Sequence, residues 1–78
     1  MTEIKDVATL GELVRAVRKE QGVTQVELSQ LTNLGSRFVL DLESGKQTIQ
    51  LGKTLEVLKT LGVRLYFEKP GESAVKNG

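Results

Sequence analysis

The sequence predicts a mainly α fold, four to five short helices followed by one β-strand at the C-terminal end. Three observations predict it. Apolar residues recur at helical spacing as far as Leu61. Residues 24–45 hold two short helical runs joined by a tight corner. From Val63 the period changes from the helical one to two. At 78 residues the chain is long enough for one small domain with a modest core.

The elements follow in order. Residues 1–8 lack a sustained period and read as an N-terminal arm. Thr9 and Glu12 have capping-box spacing, so the first helix is expected to start there, with Leu10, Leu13, Val14 and Val17 on its apolar face. Gly22 suits the left-handed residue that ends it. Thr24 and Glu27 form a second capping box, followed by Val26, Leu28 and Leu31. Asn33 tolerates positive φ and suits the corner. A third helix starts at Gly35 or Ser36, turns Val39 and Leu42 inward and stops at Ser44-Gly45. A polar loop, Lys46-Gln47-Thr48, leads to a fourth helix with Leu51, Leu55, Leu58 and Leu61 on one side, weakened slightly by Gly52 and ended by Gly62.

In residues 63–69, Val63, Leu65 and Phe67 alternate with Arg64, Tyr66 and Glu68, a strand pattern rich in β-favouring residues. A lone strand leaves its backbone groups unpaired, and no second strand is evident. The same strand of a second copy is the simplest partner, which gives an intermolecular antiparallel ribbon in a homodimer, with Val63, Leu65, Tyr66 and Phe67 at the dimer interface. Pro70-Gly71 ends the strand, and residues 70–78 read as a flexible tail. The domain organisation is thus an arm (1–8), a helical domain (9–62), a dimerisation strand (63–69) and a tail (70–78).

Composition narrows the function. Hydrophobic residues make up 38% of the chain, a low share for a stable small monomer, which again favours a dimer. Cysteine and histidine are both absent, which removes disulfides, thiolate chemistry, the commonest metal ligand and the commonest general base. The carboxylates are spread over helix surfaces, no metal-ligand cluster appears, and Gly45-Lys46 lacks the glycine and strand context of a phosphate-binding loop. An enzyme is therefore not expected, nor is a cofactor or metal. No run spans a bilayer and no signal peptide opens the chain, so a cytoplasmic location is expected. The net charge of +1 says little about partners, so any nucleic-acid binding must come from local placement of Lys and Arg.

The pair of helices in 24–45 is a helix-turn-helix, a unit that projects its second helix at a size that fits the DNA major groove. Thr24-Gln25, Glu27-Leu28, Val39, Leu42-Glu43, Gly45-Lys46, Leu51, Thr54-Leu55 and Leu61-Gly62-Val63 resemble the Cro/CI-like (XRE) helix-turn-helix family over roughly residues 10–63. The resemblance implies a lambda-repressor-like DNA-binding domain. That fold typically goes on to a fifth helix, where this chain has a strand. The strand, with SRFVLDLESGK and QLGKTLEVLKTLGVRL, is similar to the HipB-type antitoxins of HipA/HipB toxin–antitoxin systems. In that group two copies share a C-terminal ribbon, bind a palindromic operator and bind a kinase-like toxin.

The resemblance also implies residue roles. Gln25 corresponds to a residue that contacts a phosphate and braces the recognition helix. Gly35, Ser36, Arg37, Leu40 and Asp41 form the exposed face of the third helix, because Val39 and Leu42 are committed to the core. Ser36 suits a base edge; Arg37 suits guanine or a phosphate; Leu40 suits a thymine methyl. Asp41 suits an amino group of cytosine or, at helical spacing, Arg37 itself. Many relatives carry Ser or Thr where this chain has Gly35. Phe38 is expected in core or interface packing. Lys46 and Gln47, and more weakly Lys53, fall where the family meets the sugar–phosphate backbone. Arg18 and Glu43 match an internal ion pair. The function this implies is a sequence-specific repressor and antitoxin that controls its own operon and neutralises a kinase-like toxin. The alternatives are a stand-alone phage- or plasmid-type repressor and a protein-interaction module that retains the fold without DNA binding.

Overall fold

The computed structural model describes residues 2–71 and 74–76. Four helices, α1 (Val7–Glu20), α2 (Gln25–Thr32), α3 (Ser36–Glu43) and α4 (Leu51–Thr60), precede two short strands, β1 (Tyr66–Glu68) and β2 (Ala74–Lys76). The core is one cluster of Val14, Leu28, Val39, Leu42, Val57, Leu58 and Leu61, drawn from every helix. Burying a side chain of the size of Leu28, Leu42 or Leu58 is worth about 1.5–3 kcal/mol. Besides Arg18, two hydroxyl residues join them, Ser29 and Thr54. Each returns its hydroxyl hydrogen bond to its own helix, Ser29 to the Val26 carbonyl (2.6 Å) and Thr54 to the Gln50 carbonyl (2.8 Å), so burial leaves no donor unpaired.

The helix ends repeat one device. At the ends of α1, α3 and α4 the backbone makes the paired bonds of a Schellman motif: Val23 N to Arg18 O with Gly22 N to Lys19 O, Lys46 N to Asp41 O with Gly45 N to Leu42 O, and Val63 N to Leu58 O with Gly62 N to Lys59 O. At α2 the left-handed residue is Asn33, with φ of 56°. Position 45 requires glycine twice over, because φ is 81° and a Cβ there would lie 2.8 Å from Ala8 Cα. The Gln21 side chain donates to the Leu61 carbonyl (2.7 Å), tying the end of α1 to the end of α4.

Three sequence expectations change. First, α1 starts earlier than the Thr9–Glu12 spacing predicts. Asp6 is its cap and accepts from Thr9 N at 2.8 Å, so the helix begins inside the expected arm. Second, α4 turns Thr54, Val57, Leu58 and Leu61 inward, while Leu51 and Leu55 stay exposed. The buried set follows the three- and four-residue spacing of one helix face; Leu51 lies at the helix start, beyond the edge of the core. On α2, Leu28 is the buried anchor, with Val26 and Leu31 exposed. Third, the strand is shorter than residues 63–69 and has a partner within its own chain. β1 pairs antiparallel with β2, in the register Tyr66 with Lys76, Phe67 with Val75 and Glu68 with Ala74. Pro70-Gly71, with Gly71 at φ 75°, turns the chain back instead of releasing it. Part of the expected tail is therefore strand; residues 72, 73, 77 and 78 lie outside the described residues. β1 still has one edge unpaired among the described residues. No described helix is long and apolar enough to cross a membrane.

Candidate nucleic-acid interface

The Thr24 cap sets the start of α2. Its hydroxyl accepts from Glu27 N at 3.0 Å while its own N–H donates to the Glu27 carboxylate at 2.9 Å, the reciprocal pair that the sequence predicts. The bond from Thr24 N, with the Thr24 hydroxyl close by, holds the Glu27 carboxyl below its usual range. Asn33 then turns the chain, and Gly35 occupies the cap of α3 with no side-chain bond to the helix. The first turn of α3 therefore presents backbone N–H groups that no capping side chain covers.

With Val39 and Leu42 fully buried, α3 has one outward face. Ser36, Arg37 and Leu40 are exposed on it, next to exposed Gly35, and Asp41 is half-buried at its margin. Arg37 Nε donates to Asp41 Oδ1 at 3.1 Å, and Lys46 Nζ lies 3.5 Å from Asp41 Oδ2. Gln47 is exposed in the following loop. Phe38 packs against the core, as expected, with Lys53 Nζ 6.0 Å from its ring centroid, a cation–π distance. Arg37, Asp41 and Lys46 thus form one cluster with Ser36 and Leu40 beside it; Lys53 stands apart, over Phe38.

Behind this face a polar clamp fixes its angle. Arg18 donates to Glu43 through Nε (2.6 Å to Oε2) and Nη2 (2.9 Å to Oε1), and its Nη1 donates to the Val23 carbonyl at 2.8 Å. Gln25 Nε2 donates to Glu43 Oε1 at 3.1 Å. Burial alone would raise the Glu43 carboxyl. The hydrogen bonds from Arg18 and Gln25, with the charges of Arg18 and Arg15, outweigh it and hold Glu43 below the usual carboxylate range. The Glu43 bond in turn raises Arg18. Gln25 thus uses one of its two amide hydrogens to brace α3 from α2.

Of the residues expected at a dimer interface, Val63 and Leu65 are half-buried against their own core, whereas Tyr66 and Phe67 are exposed. The sequence reading passed over Arg15 and Lys19. Both are exposed on α1 and line a shallow hollow with Gly22, Thr24 and Gln25 at the start of α2. Their four-residue spacing on a helix was the available signal. It also passed over Gly11, which is buried where α1 crosses the Leu42 and Glu43 carbonyls of α3.

A family model described as helix-turn-helix matches residues 14–67. The chain belongs to this family. Its members of the XRE type are DNA-binding transcription regulators, and that is the class of activity assigned to this chain. An uncharacterized HTH-type transcriptional regulator, y4mF, of Sinorhizobium fredii is 52% identical over 69 residues, covering 88% of this chain and 91% of its own length. The immunity repressor protein of Bacillus phage phi105 is 32% identical over 68 residues; the match takes in 87% of this chain and 47% of the repressor. Among solved structures, HipB in a HipB–O4 20mer complex has the same fold, with a TM-score of 0.81 at 19% identity over 88% of this chain and 97% of that one. The restriction-modification controller protein C.AhdI of Aeromonas hydrophila follows at a TM-score of 0.66 and 24% identity, covering 73% of this chain and 86% of that one. The likeness to HipB agrees with the resemblance read in the sequence, and it extends beyond α4.

Proposed function

We propose that this helix-turn-helix protein is a sequence-specific repressor that binds an operator as a two-fold dimer, controls its own operon and acts as the antitoxin to a HipA-like kinase toxin. The observation that carries DNA reading is the outward face of α3: Ser36, Arg37 and Leu40 stand exposed on a helix whose opposite side is locked into the core. In this reading Ser36, Arg37 and Leu40 meet base edges, with Asp41 beside them. Gly35 permits close approach. Lys46 and Gln47 hold the phosphates after the helix, and Gln25 does so at the start of α2 while bracing α3.

The dimer reading rests on β1. Its second edge is open among the described residues, and Tyr66 and Phe67, on opposite faces of the strand, are both exposed. A second copy joining at that edge extends two hairpins into a four-stranded sheet, with Val63 and Leu65 beneath it. Two recognition helices roughly 34 Å apart then match an inverted repeat. The antitoxin role is supported by the fold shared with HipB from α1 through the strand, since solved structures include HipB in a HipA–HipB–O2–O3 complex at a TM-score of 0.81.

The likeness to a phage immunity repressor favours a second reading, a stand-alone repressor without a toxin partner. Co-purification with the product of the neighbouring gene separates the two. A kinase-like protein retained with the chain supports the antitoxin; a chain that purifies alone beside such a protein refutes it. A gel shift with the protein's own promoter at two salt concentrations tests the shared part. Specific binding survives salt that removes binding to random DNA, and equal loss of both overturns it.

A further inference from the structure

We propose that Asp41 is a specificity-determining residue, which restrains Arg37 and Lys46 together and so lowers binding to DNA of the wrong sequence. The inference rests on the DNA-reading function proposed above. Its basis is the order of exposure in the cluster. The Asp41 side chain is only 16% exposed, while those of Arg37 and Lys46 are 81% and 54% exposed. The carboxylate is sheltered and both cations stand outside it. Pairs whose cations stand in solvent, as both do here, contribute little to folding, so the cluster is not explained by stability.

Lys46 is held twice. Its N–H donates to the Asp41 carbonyl at 3.0 Å as the helix-ending bond of α3, and its ammonium faces the same residue's carboxylate. That backbone bond fixes where Lys46 leaves the helix. Arg37 is held through Nε alone. This orients the guanidinium plane and leaves its two terminal nitrogens for an acceptor pair such as the O6 and N7 of guanine.

The charges then follow. Arg37 and Lys46 with Asp41 present one net positive charge instead of two. A phosphate on non-cognate DNA must compete with the carboxylate for either cation, and nothing else is gained by releasing it. On the cognate sequence, Arg37 reads its base pair without leaving Asp41. The carboxylate therefore costs more binding on random DNA than on the operator, so it raises the ratio between them.

The test uses the full chain, a duplex enriched by the wild-type protein from a randomised pool, and a random-sequence duplex, each titrated across a range of salt. Asp41→Asn keeps the shape and removes the charge. It should tighten binding to random DNA, steepen the salt slope there by about 0.9 for each cation freed to a phosphate, and lower the specificity ratio at least about threefold. Asp41→Glu, which restores the charge, should return slope and ratio toward wild type. A ratio and slope unchanged in Asp41→Asn, with the enriched duplex still preferred, would overturn the inference and leave the DNA-reading function intact. A pool that yields no enriched sequence with the wild-type protein would remove that function, and the inference with it.

Discussion

Arg18 on α1 and Glu43 at the end of α3, 25 residues apart, meet through two parallel hydrogen bonds, with side chains only 8% and 3% exposed. The pair is the hub of the domain. Arg18 also holds the loop before α2 through Val23, and Glu43 also holds α2 through Gln25. A buried pair of this kind is weak evidence for net stability, but losing one partner strands the other.

Glu43→Ala should therefore cost about 3–5 kcal/mol, a large part of the stability of a domain this size. The double variant Arg18→Met/Glu43→Leu should recover part of that loss, because no charge is left buried. Urea unfolding of the two variants and the wild type measures both. A Glu43→Ala loss below about 1 kcal/mol would mean that the pair behaves as a surface ion pair.

The pH dependence follows from the same carboxylate. The folded state holds Glu43 below its ordinary value of 4.5, so the unfolded chain takes up the proton first as pH falls. The stability from Glu43 is fully present above that value and is lost as pH drops through the lower folded one. Asp6 and Glu27, both lowered by bonds from capped N–H groups, act in the same direction. Thermal midpoints between pH 7 and 3 should fall steeply in the wild type and less steeply in Glu43→Gln.

Two helical glycines should respond oppositely to alanine. At Gly11 the new Cβ meets the Leu42 and Glu43 carbonyls, which are backbone and cannot swing away, so α1 must move off α3 at a cost of about 1–3 kcal/mol. At Gly52 nothing lies within 4 Å, and the lower flexibility of the unfolded chain should raise stability by about 0.5 kcal/mol. Chemical denaturation of both variants gives the signs directly.

The two cations paired with Asp41 should differ in kind. Arg37→Ala should cost about 1–3 kcal/mol on the operator and relax one base position, whereas Lys46→Ala should weaken all sequences alike and reduce the salt slope by about 1. Equal loss on operator and random DNA in Arg37→Ala would assign that residue to phosphate instead.

The helix-turn-helix was legible because its signals are local. Thr24 with Glu27, Asn33, and Ser44-Gly45 act within a few residues of themselves, so spacing alone locates α2, the corner and the end of α3. The start of α1 was misread by the same logic. Thr9 and Glu12 have the right spacing, but Asp6 lies one turn earlier and bonds Thr9 first. On α4 the period was correct and the face was half correct: Leu58 and Leu61 are buried as expected, whereas Leu51 and Leu55 are exposed and the structure buries Thr54, a polar residue that satisfies itself on Gln50. β2 gave almost no signal, being three residues long beyond a proline. At the candidate site, the exposed face of α3 was readable from the committed positions Val39 and Leu42. The double hold of Asp41 on Arg37 and Lys46 was only half readable, since four-residue spacing gives the first contact and the second depends on how α3 ends.

The clamp between Arg18, Glu43 and Gln25 has a dynamic consequence. With α1, α2 and α3 bolted at one point, the recognition helix has no low-cost opening of its own. Its central amides, those of Val39 and Leu42, should exchange with solvent only when the whole domain unfolds, while those of β1, whose side chains are exposed, should exchange far more readily. A reading head of the kind proposed would meet its target already in shape. Little ordering is left to be done on contact, and discrimination depends on the fit of a rigid surface.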